Sequence, residues 1–252
     1  MARVGRPGGV GIAEREVRVA RWLAESGVPV IRPVAAVEQP VVSANRAVTW
    51  WEELPPHRAA QPDELGSLLR QLHELPVPID LALPEFDPFA ELLGNLKSVG
   101  DWLPAADRSW LEELAGQLRA DLAATPAWRT PHVLHGDAWQ GNVAVPEQGE
   151  PVLLDLEQVS IGDPAWDLAP LAVDYADFSR VSDEDYKAFT NAYGADVLEW
   201  TGFRTMATVC ELRWTAFVLS KSDGANSAAD EARHRLACLR GEIEKPWSWT
   251  AL

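Results

Sequence analysis

Three side chains in the middle of this 252-residue chain have the types and spacing for chemistry on a hydroxyl: Asp137, Asn142 five residues on, and Asp155 thirteen beyond that. A carboxylate at the mouth of a loop can accept a proton from a substrate hydroxyl. An amide oxygen and a carboxylate brought side by side can share one hard cation, and Mg²⁺ prefers such oxygen ligands. Whether the three act as one site depends on the elements that must bring them together.

Those elements are short. Val133 and Leu134 lead into His135-Gly136-Asp137, and two apolar runs, 143–145 directly after Asn142 and 152–154, flank the turn-rich segment 146–150. β-Branched and leucine runs punctuated by Pro and Gly read as strands of a hairpin. Folded about its 147–149 turn, the hairpin is expected to set Val145 against Val152 and Asn142 against Asp155. Opposed residues of an antiparallel pair have Cβ atoms about 4.5–5.5 Å apart, close enough to share an ion. Glu157 would lie on the same strand face as Asp155. Further on, Asp163 suits a helix N-cap, with Pro164 at the first helical position. A turn built of Asp, Gly and Asn for backbone reasons explains any one of these residues, but not the set in order.

The same residues carry a resemblance. HGDAWQGN, followed by DLE and then GDPAWDLA, resembles the aminoglycoside phosphotransferase family, part of the protein-kinase-like group that also holds the choline kinases. A kinase catalytic loop has the form H-R-D-x-x-x-x-N, and a D-F-G aspartate binds Mg²⁺. The resemblance implies Asp137 as catalytic base, Asn142 and Asp155 as metal ligands, His135 as a residue that holds the loop, and Asp167 as its brace. ATP and Mg²⁺ are the implied cofactors. The implied fold is α+β, a two-lobed protein-kinase-like fold with an abbreviated N-terminal β lobe over residues 1–54 and a mainly helical C-terminal lobe over 55–252. By position, Arg3 stands where the family has its phosphate-holding lysine, and Glu16 is the glutamate that pairs with it, Glu14 being the alternative. Glu52 to Leu54 follow the strand Ala47–Trp51 and are the connector whose backbone would hydrogen-bond adenine. The strands carrying the phosphate-covering Gly-rich loop would lie before residue 1. The glycine-rich segment 5–11 follows Arg3 rather than preceding it, and Arg is not equivalent to Lys at a phosphate.

Charge bears on the partner. The net charge is −16, yet residues 1–32 hold six arginines against three glutamates, so the remaining 220 residues carry −19. Such a surface repels nucleic acid and favours a cationic or polar small molecule. Two cysteines, Cys210 and Cys238, make no metal spacing and fit a reduced, cytoplasmic protein. The start lacks an apolar core of a signal peptide, and no apolar run approaches membrane-spanning length. Oligomeric state stays open.

Helices account for most of the rest. Helical periodicity is read over 14–24, from Pro62 through Leu75, over 87–97, 108–123, 199–220 and 228–240, with a capped start at Ser182–Asp185 and a strand at 35–37. His73 falls within a leucine stripe and is given no catalytic role. Asp174, Asp177 and Glu211 are candidates for gripping ammonium groups of an acceptor. The expected activity is ATP-dependent, Mg²⁺-assisted phosphorylation of an aminoglycoside-type antibiotic, amino sugar or amino alcohol. Two alternatives stand beside it: a choline-, homoserine- or macrolide-directed kinase of the same fold, and a catalytically impaired binding protein.

Overall fold

Leucine stripes and β-branched runs are realised as eight helices and eight short strands within residues 1–250, the part that the computed structural model describes. In chain order they are β1 (Ala2–Val4), α1 (Val10–Glu25), β2 (Val41–Ser43), β3 (Arg46–Trp50), β4 (His57–Ala59), α2 (Pro62–His73), α3 (Ala90–Ser98) and α4 (Ala105–Ala124). There follow β5 (His132–Leu134), β6 (Val143–Pro146), β7 (Val152–Leu153), β8 (Ser160–Gly162), α5 (Ala165–Ala176), α6 (Asp183–Tyr193), α7 (Phe203–Lys221) and α8 (Ser227–Leu239). The chain divides into two compact units. Met1–Phe86, Arg129–Leu168 and Glu184–Ala195 form the first; Asp87–Trp128, Ala169–Asp183 and the stretch from Asp196 form the second.

The first unit holds all the sheets. One is antiparallel in the order β1-β3-β2, with Arg3 opposite Thr49 and Val42 opposite Ala47. Along β3 the period of two puts Ala47 and Thr49 inside and Arg46, Val48 and Trp50 outward. A second sheet runs β4-β6-β7, and β5 pairs with β8. Helix α1 buries Glu16, Val17, Val19, Ala20 and Leu23 on one face, and Gly27, at φ +84°, turns the chain out of it. Helix α2 starts with Pro62 at its first position, and the Glu64 carboxylate accepts from the Gln61 N–H at 2.7 Å. Its stripe of Leu65, Leu68, Leu69 and Leu72 is almost wholly buried, each side chain worth roughly 1.5–3 kcal/mol.

The second unit is organised on α7, which is buried nearly all round through Met206, Val209, Cys210, Leu212, Ala216 and Leu219. Helices α3, α4 and α8 pack on it; a helix apolar on every side belongs at the centre of such a group. Arg108 closes α3 by donating to the carbonyls of Leu96, Val99 and Gly100 at 3.1–3.2 Å. Both cysteines are free and buried. Among the described residues, no helix is long and apolar enough to cross a membrane.

Several expected boundaries move. Residues 35–37 form a turn, and the strand expected there is at Val41–Ser43, beyond Pro40. Helix α1 starts at Val10 and α4 at Ala105, earlier than their apolar periods indicate. Helix α3 begins only at Ala90, because the Asp87 side chain takes the Phe89 N–H at 2.9 Å and holds 87–89 as a turn. A separate short turn, Val197–Glu199, precedes α7, which starts at Phe203 after Gly202.

Candidate active site

The loop after β5 is fixed by its backbone. The His135 and Gly136 N–H groups donate to the two oxygens of Asp167, at 2.6 and 2.8 Å. Asp167 sits in the first turn of α5, whose start is capped by the Asp163 side chain taking the Ala165 N–H at 3.0 Å. The neighbouring Trp166 indole N–H donates to the Gly136 carbonyl at 3.0 Å. Gly136 has φ +85°, and a β-carbon there would lie 2.4 Å from the Gln158 carbonyl oxygen, so glycine is required. The His135 ring is fully buried and both nitrogens are used. Its Nδ1 accepts from the Asp137 N–H at 3.3 Å, so the proton is on Nε2, which donates to the Leu154 carbonyl at 2.7 Å. His135 therefore ties the loop to the end of the hairpin.

Sequence reasoning missed the next member. His73 Nε2 lies 3.0 Å from Asp167 Oδ2, and its Nδ1 lies 2.9 Å from the Tyr193 hydroxyl. Three donors from two elements thus converge on Asp167. The signal was available: a histidine on a buried leucine stripe must be hydrogen-bonded.

The hairpin register corrects an expectation. Val143 faces Leu153 and Ala144 faces Val152. The ladder is centred on Gln148, so Asn142 stands opposite Leu154 rather than Asp155, and the Leu154 N–H donates to the Asn142 carbonyl at 2.9 Å. A shift of one residue reverses every side chain. Asp155 has left the ladder: it is left-handed, at φ +50° and ψ +69°, and leads into a single 3₁₀ turn over Leu156–Gln158. Glu157 is on that turn, not on a strand face shared with Asp155. Asn142 Nδ2 donates to the Asp137 carbonyl at 2.8 Å and approaches Asp137 Oδ2 at 3.3 Å, which leaves its Oδ1 as an acceptor.

Arg3 collects the remaining acids. Its Nη1 donates to Glu16 Oε1 at 2.8 Å, its Nη2 donates to Glu157 Oε1 and also lies 4.0 Å from Asp155 Oδ1. Glu16 is on the buried face of α1, whereas Glu14 is exposed. Burial pushes the Glu16 carboxyl up to about 7; Arg3 opposes this, and the charges of Glu157 and Asp155 add to it. Carboxylate oxygens of Glu16, Asp155 and Glu157 lie within 4.8 Å of one another. Arg3 is the cation that these three carboxylates share, whereas the half-exposed Asp155 carboxylate and the Asn142 Oδ1 offer hard oxygens of the kind that Mg²⁺ takes.

A cavity of about 610 Å³ opens beside Arg3. Arg3, Glu16, Glu52, Leu54 and Asp155 all line it, with Ile31, Trp51 and Leu154 supplying apolar wall. Four residues singled out for nucleotide binding, and one for metal, are thus brought together from separate stretches of chain. Asp137 and Asn142 are on the loop and are not part of that lining.

The acids considered for an acceptor, in the second unit, are already paired. Asp174 binds Arg180 at 2.9 Å. Asp177 accepts from Arg204 at 2.9 and 2.7 Å and pairs with Lys245 at 2.7 Å, and Glu211 accepts from the same two cations at 2.9 and 3.2 Å.

Known proteins share this arrangement of elements. The model of the phosphotransferase enzyme family matches residues 3–207. An aminoglycoside phosphotransferase of Streptomyces rimosus, solved with ADP and streptomycin, is 24% identical, with 84% of this chain covering 86% of that one at a TM-score of 0.59. The choline kinase LicA of Streptococcus pneumoniae is 18% identical, with 94% covering 85% at 0.67. The amicoumacin kinase hAmiN, solved with AMP-PNP, Ca²⁺ and Ami, is 16% identical, with 96% covering 80% at 0.73. At these identities the likeness is one of fold, α+β and protein-kinase-like. None of the curated proteins matches the chain.

Proposed function

Since the chain belongs to the phosphotransferase enzyme family, we propose that it moves the γ-phosphoryl group of ATP to a hydroxyl of a cationic or polar small molecule, an aminoglycoside, amino sugar or amino alcohol. It is a small-molecule phosphotransferase; ATP, magnesium and the acceptor class are the proposal. The observation that carries it is the cavity shared by Arg3, Glu16, Glu52, Leu54 and Asp155. Its volume suits a nucleotide, with apolar wall for a base and charge at one end.

In this reading residues 1–54 serve the nucleotide and 55–252 supply the loop and acceptor contacts. Backbone groups from Glu52 to Leu54 hold adenine. Arg3, oriented by Glu16, presents its planar fork to phosphate oxygens. Asp155 and the Asn142 Oδ1 would hold Mg²⁺, which when bound neutralises charge on the phosphates. Asp137 accepts the proton of the acceptor hydroxyl as that oxygen bonds to phosphorus and the bridging oxygen leaves with ADP; the proton then passes to solvent. Such a base contributes about 10²–10⁴-fold, and positioning supplies much of the rest. Asp167 and His73 hold the loop so that Asp137 has one position.

ADP release with a panel of aminoglycosides and amino alcohols tests this. Asp137→Ala is expected to lower turnover by about 10²–10⁴-fold with an unchanged thermal transition. Undiminished turnover would remove Asp137 as base, and turnover that persists in EDTA would remove the metal roles of Asn142 and Asp155.

A further inference from the structure

Trp139 is a large apolar side chain that the loop holds in solvent, 55% exposed. Its place is set by the backbone. The residue is extended, at φ −158° and ψ +165°, and its carbonyl accepts from the Asn142 N–H at 3.0 Å. Exposure alternates along the segment: Asp137 outward, Ala138 buried at 4%, Trp139 outward. With Ala138 buried between them, Asp137 and Trp139 both face solvent, and two residues of chain span at most about 7 Å. One side of the indole lies against Gly141, where a β-carbon would come within 2.1 Å of the ring. The glycine lets the ring close onto the backbone, and the rest of the ring stays open to solvent beside Asp137.

We propose that Trp139 is the acceptor platform: the open part of the indole takes an ammonium group of the substrate while the neighbouring hydroxyl meets Asp137. This rests on the role of base proposed for Asp137. Indole is the best of the aromatic faces for a cation. A net charge of −16 concentrates cations at the surface, and the Asp137 carboxylate adds a local attraction. A span of at most about 7 Å between the two anchoring residues places the ammonium three or four bonds from the reacting hydroxyl. The acceptor class is therefore a 1,2- or 1,3-amino alcohol, free or as part of an amino sugar.

The test reads Trp139 directly. The whole protein labelled with 5-fluorotryptophan gives a fluorine resonance for each tryptophan, and Trp139→Phe identifies the one in the loop. Choline chloride is expected to move that resonance saturably. Its uncharged isostere 3,3-dimethylbutan-1-ol, and sodium chloride at the same ionic strength, are expected to leave it in place. In turnover with amino-alcohol and aminoglycoside acceptors, Trp139→Ala is expected to raise KM about three- to thirtyfold with kcat within about twofold, and Trp139→Phe to retain most of the affinity. A resonance indifferent to choline overturns the platform. So does an equal response to the isostere, or a Trp139→Ala loss that falls on kcat alone. If Asp137→Ala keeps full turnover, the base fails while the fluorine titration still decides the platform, so the two failures are distinct.

Discussion

Two aspartates, ten residues apart in the chain, are buried to the same degree and held in opposite ways. Asp167, in the first unit, is 1% exposed, and Asp177, in the second, is 3% exposed. Asp167 is compensated by two backbone N–H groups and a histidine ring. Asp177 is compensated by the formal charges of Arg204 and Lys245, whose side chains are 50% and 34% exposed. A backbone N–H cannot move without its loop, so Asp167 fixes where the loop sits. A guanidinium or ammonium at the end of a flexible stem fixes which elements are neighbours and leaves the clamp within reach of water and salt. Positional accuracy for chemistry comes from the first kind of partner.

Removing the first carboxylate should break this contrast most strongly. Asp167→Ala leaves the His135 and Gly136 N–H groups and His73 without their acceptor in a buried site, at about 3–5 kcal/mol. Denaturant unfolding measures this, and turnover should disappear with it. A cost under about 1 kcal/mol would mean that the loop is held by something else. The second carboxylate should show itself through pH. Burial raises the Glu211 carboxyl, to about 8, and the hydrogen bond that the protonated group donates to Asp177 adds to it. Burial also acts upward on Asp177, but hydrogen bonds with Arg204, Glu211 and Lys245 overcome it and hold that group below its ordinary 3.8. The folded state thus keeps a proton on Glu211 that the unfolded chain gives up at 4.5. The contribution of Glu211 is greatest below 4.5 and is lost as pH rises toward about 8. That of Asp177 is present above 3.8 and lost as pH falls toward about 2. Stability should fall between pH 5 and 8 by on the order of 1–2 kcal/mol more in the wild type than in Glu211→Gln. A slope unchanged by that substitution would contradict the shift. The smallest effect is expected from Lys245→Met. Arg204 remains, so the loss should be about 0.5–1 kcal/mol and should shrink in 1 M salt.

How much of this could be read from the sequence differs from place to place. Asp137, Asn142, Asp155 and Asp167 stood out because their types, order and intervals are hard to explain by turns alone. The leucine stripe of α2 was equally plain. The register of the hairpin was within reach too: a turn over 147–149 is centred on Gln148 and pairs Asn142 with Leu154, and the expected pairing with Asp155 was one residue off, enough to reverse every side chain. The left-handed backbone of Asp155 was not, and it carries the carboxylate to the Arg3 corner without the help of the ladder. Only contacts distant in sequence reveal His73, whose partner lies 94 residues away. The pairing of Asp177 and Glu211 with Arg204 and Lys245 was hidden for the same reason: the composition shows excess acid but not which acids are already engaged.

The sheet β1-β3-β2 has a consequence for handling the protein. Both its outer strands are edges, and both carry exposed valines: Val4 at 61%, Val41 at 46% and Val42 at 53%. Unpaired N–H and C=O groups beside apolar side chains are a template for another copy of the same edge. What opposes that pairing is long-range repulsion between molecules each carrying −16. Colloidal behaviour and catalytic electrostatics therefore draw on the same acidic surface, and a buffer that neutralises it should favour sticking edges as well as weaken attraction for a cationic acceptor.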